Sequence, residues 1–295
     1  MADINRENKD RLFRFIFGNP ENKAWTLSLY NAINGSSYTN PDDIRVTTIT
    51  DVLYMDMKND ISFLVGDTMN FYEQQASFNP NMPARFLIYA GMVYSGLFES
   101  NSNKLNMYSS KIQNLPVPKC VCFYNGTKKQ EDHTDLLLSS AFPEGADPDI
   151  AVKVRMLNIN YGHNMELLSV CKPLHDYSLL IDRIRYHQEN GVELEDAVDM
   201  AIDDLPENSE IKGFILENKS EVKRMCITEY DEVRTMNMFR EEGYEEGQII
   251  QAIKMYRNLV HYNDDQIINA IRTEFNLTDE EANEYLSMEY ETNRI

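Results

Sequence analysis

The chain has 295 residues, 42% apolar and 26% charged, with 12 Gly and 10 Pro, which excludes a collagen-like or wholly disordered polymer and is enough for a substantial core. Four Cys exclude a disulfide scaffold and point to a reducing, cytoplasmic setting; no run of 18 apolar residues is present, which excludes a membrane-spanning helix, and residues 1–15 have no apolar signal core. The formal net charge of −20 argues against a broad nucleic-acid-binding surface, but it is unevenly placed: residues 1–160 carry 15 basic and 18 acidic residues, and residues 161–295 carry 13 and 30.

Residues 9–33 read as a helix with Leu12, Phe13, Ile16 and Phe17 on one face, interrupted at Gly18-Asn19-Pro20 and resumed with Trp25, Leu29 and Ile33 inward. After the breakers Asn34-Gly35-Ser36-Ser37, strands are expected over 46–54, 61–65 and 69–75, the last two joined by Gly66-Asp67 as a two-residue hairpin loop. Asn79-Pro80-Asn81-Met82-Pro83 leads into a helix to about Phe98, with Phe86, Ala90, Val93 and Leu97 on one face, and a buried strand follows over 119–124, closed by Asn125-Gly126. Beyond residue 160 the pattern is helical. Asp264 and Asp265 signal one helix start, and Thr278 with Glu281 three residues on forms a capping box. Ile249, Ile250, Ile253, Tyr256 and Val260 make an apolar stripe that, with Ile267, Ile268, Ile271, Phe275 and Leu286, suits either a self-contained helical unit or a homodimer surface.

The hairpin carries the chemistry. A Gly66-Asp67 loop pairs Val65 with Thr68 and places Asp60 directly opposite Glu73, on one face, with Cβ atoms about 4.5–5.5 Å apart. Gln75 points to that same face. Facing carboxylates repel unless a cation stands between them, and two carboxylates with open positions suit Mg²⁺, which takes few protein ligands.

An Asp, a hairpin and then Glu-x-Lys is the signature of the PD-(D/E)XK nuclease superfamily, and the order helix, three strands, helix, strand is similar to its core. Locally, YEQQASFNPNMPARFLIY resembles the E-x-Q-S/A segment and Met-Pro-x-Arg helix start of the recombination-promoting nuclease/putative transposase family. The KNDISFL and PVPKCVCFYNG strands and the EEGYEEG stretch are also similar to that family, over roughly residues 9–247. The resemblance implies a restriction-endonuclease-like α/β domain over 1–160. An acidic helical extension over 161–247 is expected to pack on it, and 248–295 to form a small helical unit. It further implies Mg²⁺, Mn²⁺ or Ca²⁺ held by Asp60, Glu73 and the Gln74 carbonyl, with Asp10 as an additional ligand. Gln75 stands where the superfamily has Lys, and a neutral amide offers hydrogen bonds rather than a charge for the developing phosphorane. Asn59 stands where the superfamily has Pro before the Asp. Arg85 either grips a phosphate of DNA or pairs with Glu73. Asp51 and Asp56 are rivals of Asp60 that fit the hairpin less well.

The expected activity is metal-dependent hydrolysis of DNA phosphodiesters in recombination, mobile elements or defence, with RNA not separated as a substrate. The alternative is a catalytically silent relative acting as a binding or assembly module, which the Gln75 replacement and the net charge favour. Elsewhere, Cys120 and Cys122 read as buried thiols rather than zinc ligands, the five His lack metal spacing, and Lys128-Lys129 read as a solvated loop.

Overall fold

The computed structural model describes residues 12–46, 60–99, 105–258, 260–275 and 277–292. Asp10, Asp51, Asp56 and most of the strand expected over 46–54 lie outside them. The chain is a mixed α/β protein that continues into C-terminal helices, and it divides into two units, residues 1–229 and 230–295. Among the described residues no helix is long and apolar enough to cross a membrane.

Helix α1 (Leu12–Phe17) stops at Gly18, where an added Cβ would lie 2.7 Å from the Arg14 carbonyl oxygen. The chain turns through Pro20–Asn22 into α2 (Lys23–Asn34), as the Gly-Asn-Pro interruption predicts. Strand β1 (Arg45–Val46) pairs with β2 (Ile61–Val65), which turns at Gly66, φ 55°, into β3 (Thr68–Gln75). The β2–β3 register runs from Val65 opposite Thr68 to Ile61 opposite Tyr72, as the two-residue loop requires. Helix α3 (Met82–Glu99) then crosses over to β4 (Val117–Tyr124), parallel to β3.

Two strands between 127 and 160 have no counterpart in the sequence reading: β5 (His133–Leu137) and β6 (Lys153–Asn158). They complete a sheet of order β1-β2-β3-β4-β6-β5, with β6 parallel to β4 and β5 antiparallel at the edge. Both strands expose charged residues in alternation, including Asp135, Lys153 and Arg155, so their apolar signal is weak.

The sheet is covered on both faces. On one face α3 places Met82, Phe86, Tyr89 and Val93 against Met69, Phe71, Cys122, Tyr124, Val154 and Met156. On the other, α1, α2 and the later helices bury Phe13, Phe17, Phe63, Tyr72, Phe123 and Tyr177. Ring centroids step from Phe63 to Tyr72 (5.0 Å), Phe123 (5.3 Å), Phe13 (5.0 Å) and Tyr177 (5.6 Å). Each such side chain adds about 1.5–3 kcal/mol by burial, and each aromatic pair about 0.5–1.5 kcal/mol more.

Helices α4 (Met165–Val170), α5 (Lys172–Glu189), α6 (Leu194–Asp203) and α7 (Lys212–Glu217) share this second core, which also takes Val222 and Cys226 from the start of α8 (Lys219–Asn258). The helices after residue 160 are therefore continuous with the sheet's core as far as residue 229. The boundaries expected at 160 and 247 differ from the observed division after 229 because acidity on a helix surface does not report which apolar face lies beneath it.

The second unit holds the end of α8, α9 (Asp264–Phe275) and α10 (Asp279–Thr292). Its core consists of Ile249, Ala252, Ile253, Ile267, Ile271, Ala282 and Leu286, so much of the apolar stripe serves the unit itself. The Thr278–Glu281 capping box is formed, with the Glu281 carboxylate accepting from the Thr278 backbone N–H at 2.8 Å. The α9 start is capped by Asn263, which accepts from Gln266 N–H at 2.9 Å, rather than by Asp264 or Asp265.

Candidate functional site

The residues singled out in the hairpin converge at the C-terminal end of β3. This strand runs past the start of β2, and the Asp60 carboxylate accepts a hydrogen bond from the Gln74 backbone N–H at 2.6 Å. Asp60 therefore sits on the peptide that joins Glu73 to Gln74. Glu73 lies on the α3 face of the sheet and is 1% exposed, whereas Gln74 lies on the opposite face.

Arg85, in the first turn of α3, approaches Glu73 with Nη2 at 2.6 Å from Oε1. Of the two roles open to Arg85 in the sequence, the structure shows the pairing with Glu73. A carboxylate this deeply buried is costly without a counter-charge, and the guanidinium supplies one. Tyr89, one turn further along α3, accepts from Arg85 Nε at 3.2 Å and Nη2 at 2.8 Å. Burial first, and then the nearby Glu73 and Asp60 charges against the opposing pull of Arg85, push the Tyr89 hydroxyl up to about 12.

Gln75 is buried. Its Nε2 faces the Met82 sulfur, and its Oε1 has no hydrogen-bond partner among the described residues. Gln74 is held from the other face: its side-chain amide donates to Asn125 Oδ1, and Asn125 Nδ2 donates to the Tyr177 hydroxyl at 3.1 Å. Arg185 of α5 donates to the Asn125 carbonyl and, at 2.7 Å, to Asn160 Oδ1. The next residue is Gly126, where an added Cβ would lie 2.3 Å from the Ala76 carbonyl oxygen, so only glycine lets the ends of β3 and β4 approach this closely.

The donor set tests whether a metal fits. Among the described residues no group of three His, Cys, Asp or Glu could hold an ion. What is present is oxygen only: the Asp60 and Glu73 carboxylates, the Gln74 carbonyl and the Gln75 Oε1. Such a set fits Mg²⁺, a hard cation that keeps several waters and uses one or two carboxylates. It does not fit zinc; Cys122 and Cys171 are buried as expected, Cys120 is half-buried, and burial raises the Cys120 thiol to about 12 and the Cys171 thiol to about 11. Lys128 and Lys129 are exposed, as expected of a solvated loop.

Sequence reasoning missed Tyr89 and Asn125. Tyr89 follows Arg85 by one helical turn, a spacing that places the two side chains together. Asn125 was legible only as the first residue of an Asn-Gly turn, because its partners lie about fifty residues away on either side in the chain. Comparison with protein-family models, with curated proteins and with solved structures returns no match to this chain.

Proposed function

We propose that the protein is a divalent-metal-dependent endonuclease that hydrolyses DNA phosphodiester bonds, with Asp60 and Glu73 as its metal-binding carboxylates. The observation that carries this reading is the Asp60 carboxylate bonded to the Glu73–Gln74 peptide at 2.6 Å, with the buried Glu73 on the same hairpin. The chain order of helix, three strands, crossover helix and parallel strand supports a restriction-endonuclease-like core, as does the resemblance around residues 58–90. That resemblance also suggests a role in recombination, mobile elements or defence.

When bound, the cation would supply Lewis acidity and lower the pKa of a water nucleophile. Asp60, Glu73 and the Gln74 carbonyl would hold it. Gln75 Oε1 is an acceptor that orients a water proton, a role a Lys ammonium cannot fill. Arg85, released from Glu73, would grip a phosphate oxygen. Asn125 positions the strand end by fixing Gln74 from the opposite face.

The second reading, a catalytically silent relative that serves as a binding module, is favoured by the Arg85–Glu73 ion pair, which gives Glu73 a counter-charge without a metal. Plasmid cleavage separates the two. Supercoiled DNA with Mg²⁺, Mn²⁺ or Ca²⁺ is expected to be nicked by the wild type and left intact by folded Asp60→Asn and Glu73→Gln variants. Equal inertness of all three proteins across metals and salt would give the site to the binding module.

A further inference from the structure

We infer that Arg85 and a divalent cation exclude each other at Glu73, so that metal loading drives the guanidinium off the carboxylate and leaves it for a substrate phosphate. The inference rests on the metal-site reading above and adds to it a mechanism of exchange between charges.

Three observations carry it. Arg85 Nη2 stands 2.6 Å from Glu73 Oε1, a distance at which the guanidinium occupies the coordination sphere that a cation would need. A divalent ion on the same carboxylate would sit within a few ångströms of the guanidinium, and like charges in a buried setting are weakly screened. Finally, Glu73 is not the sole partner of the guanidinium: in the same position Tyr89 Oη accepts from Nε at 3.2 Å and from Nη2 at 2.8 Å. The Arg85 side chain is 27% exposed against 1% for Glu73, so its way out leads toward solvent, the side from which a phosphodiester must come.

The arrangement has a consequence for substrate class. A cation at Glu73 without an anion nearby leaves an extra positive charge beside Arg85, and a phosphate diester supplies the compensating negative charge. Metal and substrate should therefore bind with positive coupling, each favouring the other.

The test is a metal titration by isothermal calorimetry with Mn²⁺ on the full chain, comparing wild type, Glu73→Gln and Arg85→Met. Exchange predicts that Arg85→Met binds Mn²⁺ at least about tenfold more tightly than wild type, because a competing cation has gone. It also predicts that Glu73→Gln loses the site. Equal or weaker binding by Arg85→Met, with the site still lost in Glu73→Gln, would overturn the exchange and leave the metal site standing. No binding that Glu73→Gln removes would overturn both. Should Arg85→Met fail to fold, side-chain NMR of the wild type decides. The guanidinium resonance of Arg85, assigned as the one that moves in Tyr89→Phe, is expected to shift and its Nη rotation to quicken on saturation with Mg²⁺. A resonance unchanged by Mg²⁺ would overturn the exchange.

Discussion

The two units of the molecule differ in whether their described carboxylates include buried ones. Residues 230–295 carry 15 acidic against 6 basic residues, and the carboxylates described there lie at the surface. Glu281 closes a capping box, and Asp264 and Asp279 meet Arg257 and Arg272 while 48% and 71% exposed. Residues 1–229 expose most of theirs as well, but two are buried. Glu73 and Asp176 are each 1% exposed. Asp176 accepts from Ser209 Oγ at 2.8 Å and Glu210 N–H at 2.7 Å, fastening the α6–α7 connection to α5. Glu73 instead faces Arg85, which also donates to Tyr89 one turn along α3. A count of charges does not mark the division after residue 229, since residues 161–229 carry 15 acidic against 7 basic residues as well; burial separates the carboxylates that solvate a surface from those held inside the fold.

That contrast can be broken, beginning with its largest expected effect. Glu73→Gln keeps the shape and removes the charge, and should lower metal-dependent DNA cleavage about a hundredfold to a thousandfold, read from initial nicking rates. Asp176→Ala should leave the nicking chemistry in place but cost about 1–3 kcal/mol in urea unfolding, since it removes the buried carboxylate that holds the Ser209 hydroxyl and the Glu210 N–H. In the second unit Thr278→Ala removes the α10 cap and should cost about 1 kcal/mol, seen as a small shift in the unfolding midpoint.

The smallest effect concerns pH. Hydrogen bonds from Lys223 and Lys219, with their charges, hold the Asp199 carboxyl below the usual carboxylate range. A depressed folded-state pKa gives stability above the unfolded value, lost as pH falls through the folded one. Asp199→Asn should therefore cost about 0.5 kcal/mol or less near neutrality. In unfolding measured against pH, wild type and variant should converge in acid below the ordinary carboxylate range.

Much of this was legible in the sequence where signals are local. Gly66-Asp67 between alternating strands set the hairpin register, and with it the approach of Asp60 to the Glu73–Gln74 peptide. Thr278 and Glu281 announced their cap. Strands β5 and β6 were illegible because polar and charged residues fill their outward positions and leave too few apolar ones to show a period. The continuity of α4–α7 with the sheet was hidden because it rests on long-range contacts such as Phe13 with Tyr177. At the candidate site the nearness of Asp60 to the Glu73–Gln74 peptide was readable, whereas the pairing of Arg85 with Glu73 was not, since it depends on how deeply Glu73 is buried.

The most direct test of the metal-site account is a crystal of the full chain soaked in Mn²⁺, with anomalous scattering recorded above the manganese edge. The account predicts one strong peak bounded by the Asp60 and Glu73 carboxylates and the Gln74 carbonyl, with the Arg85 guanidinium displaced from Glu73 toward solvent. A map without that peak, and with Arg85 still seated on Glu73 at saturating Mn²⁺, would contradict it.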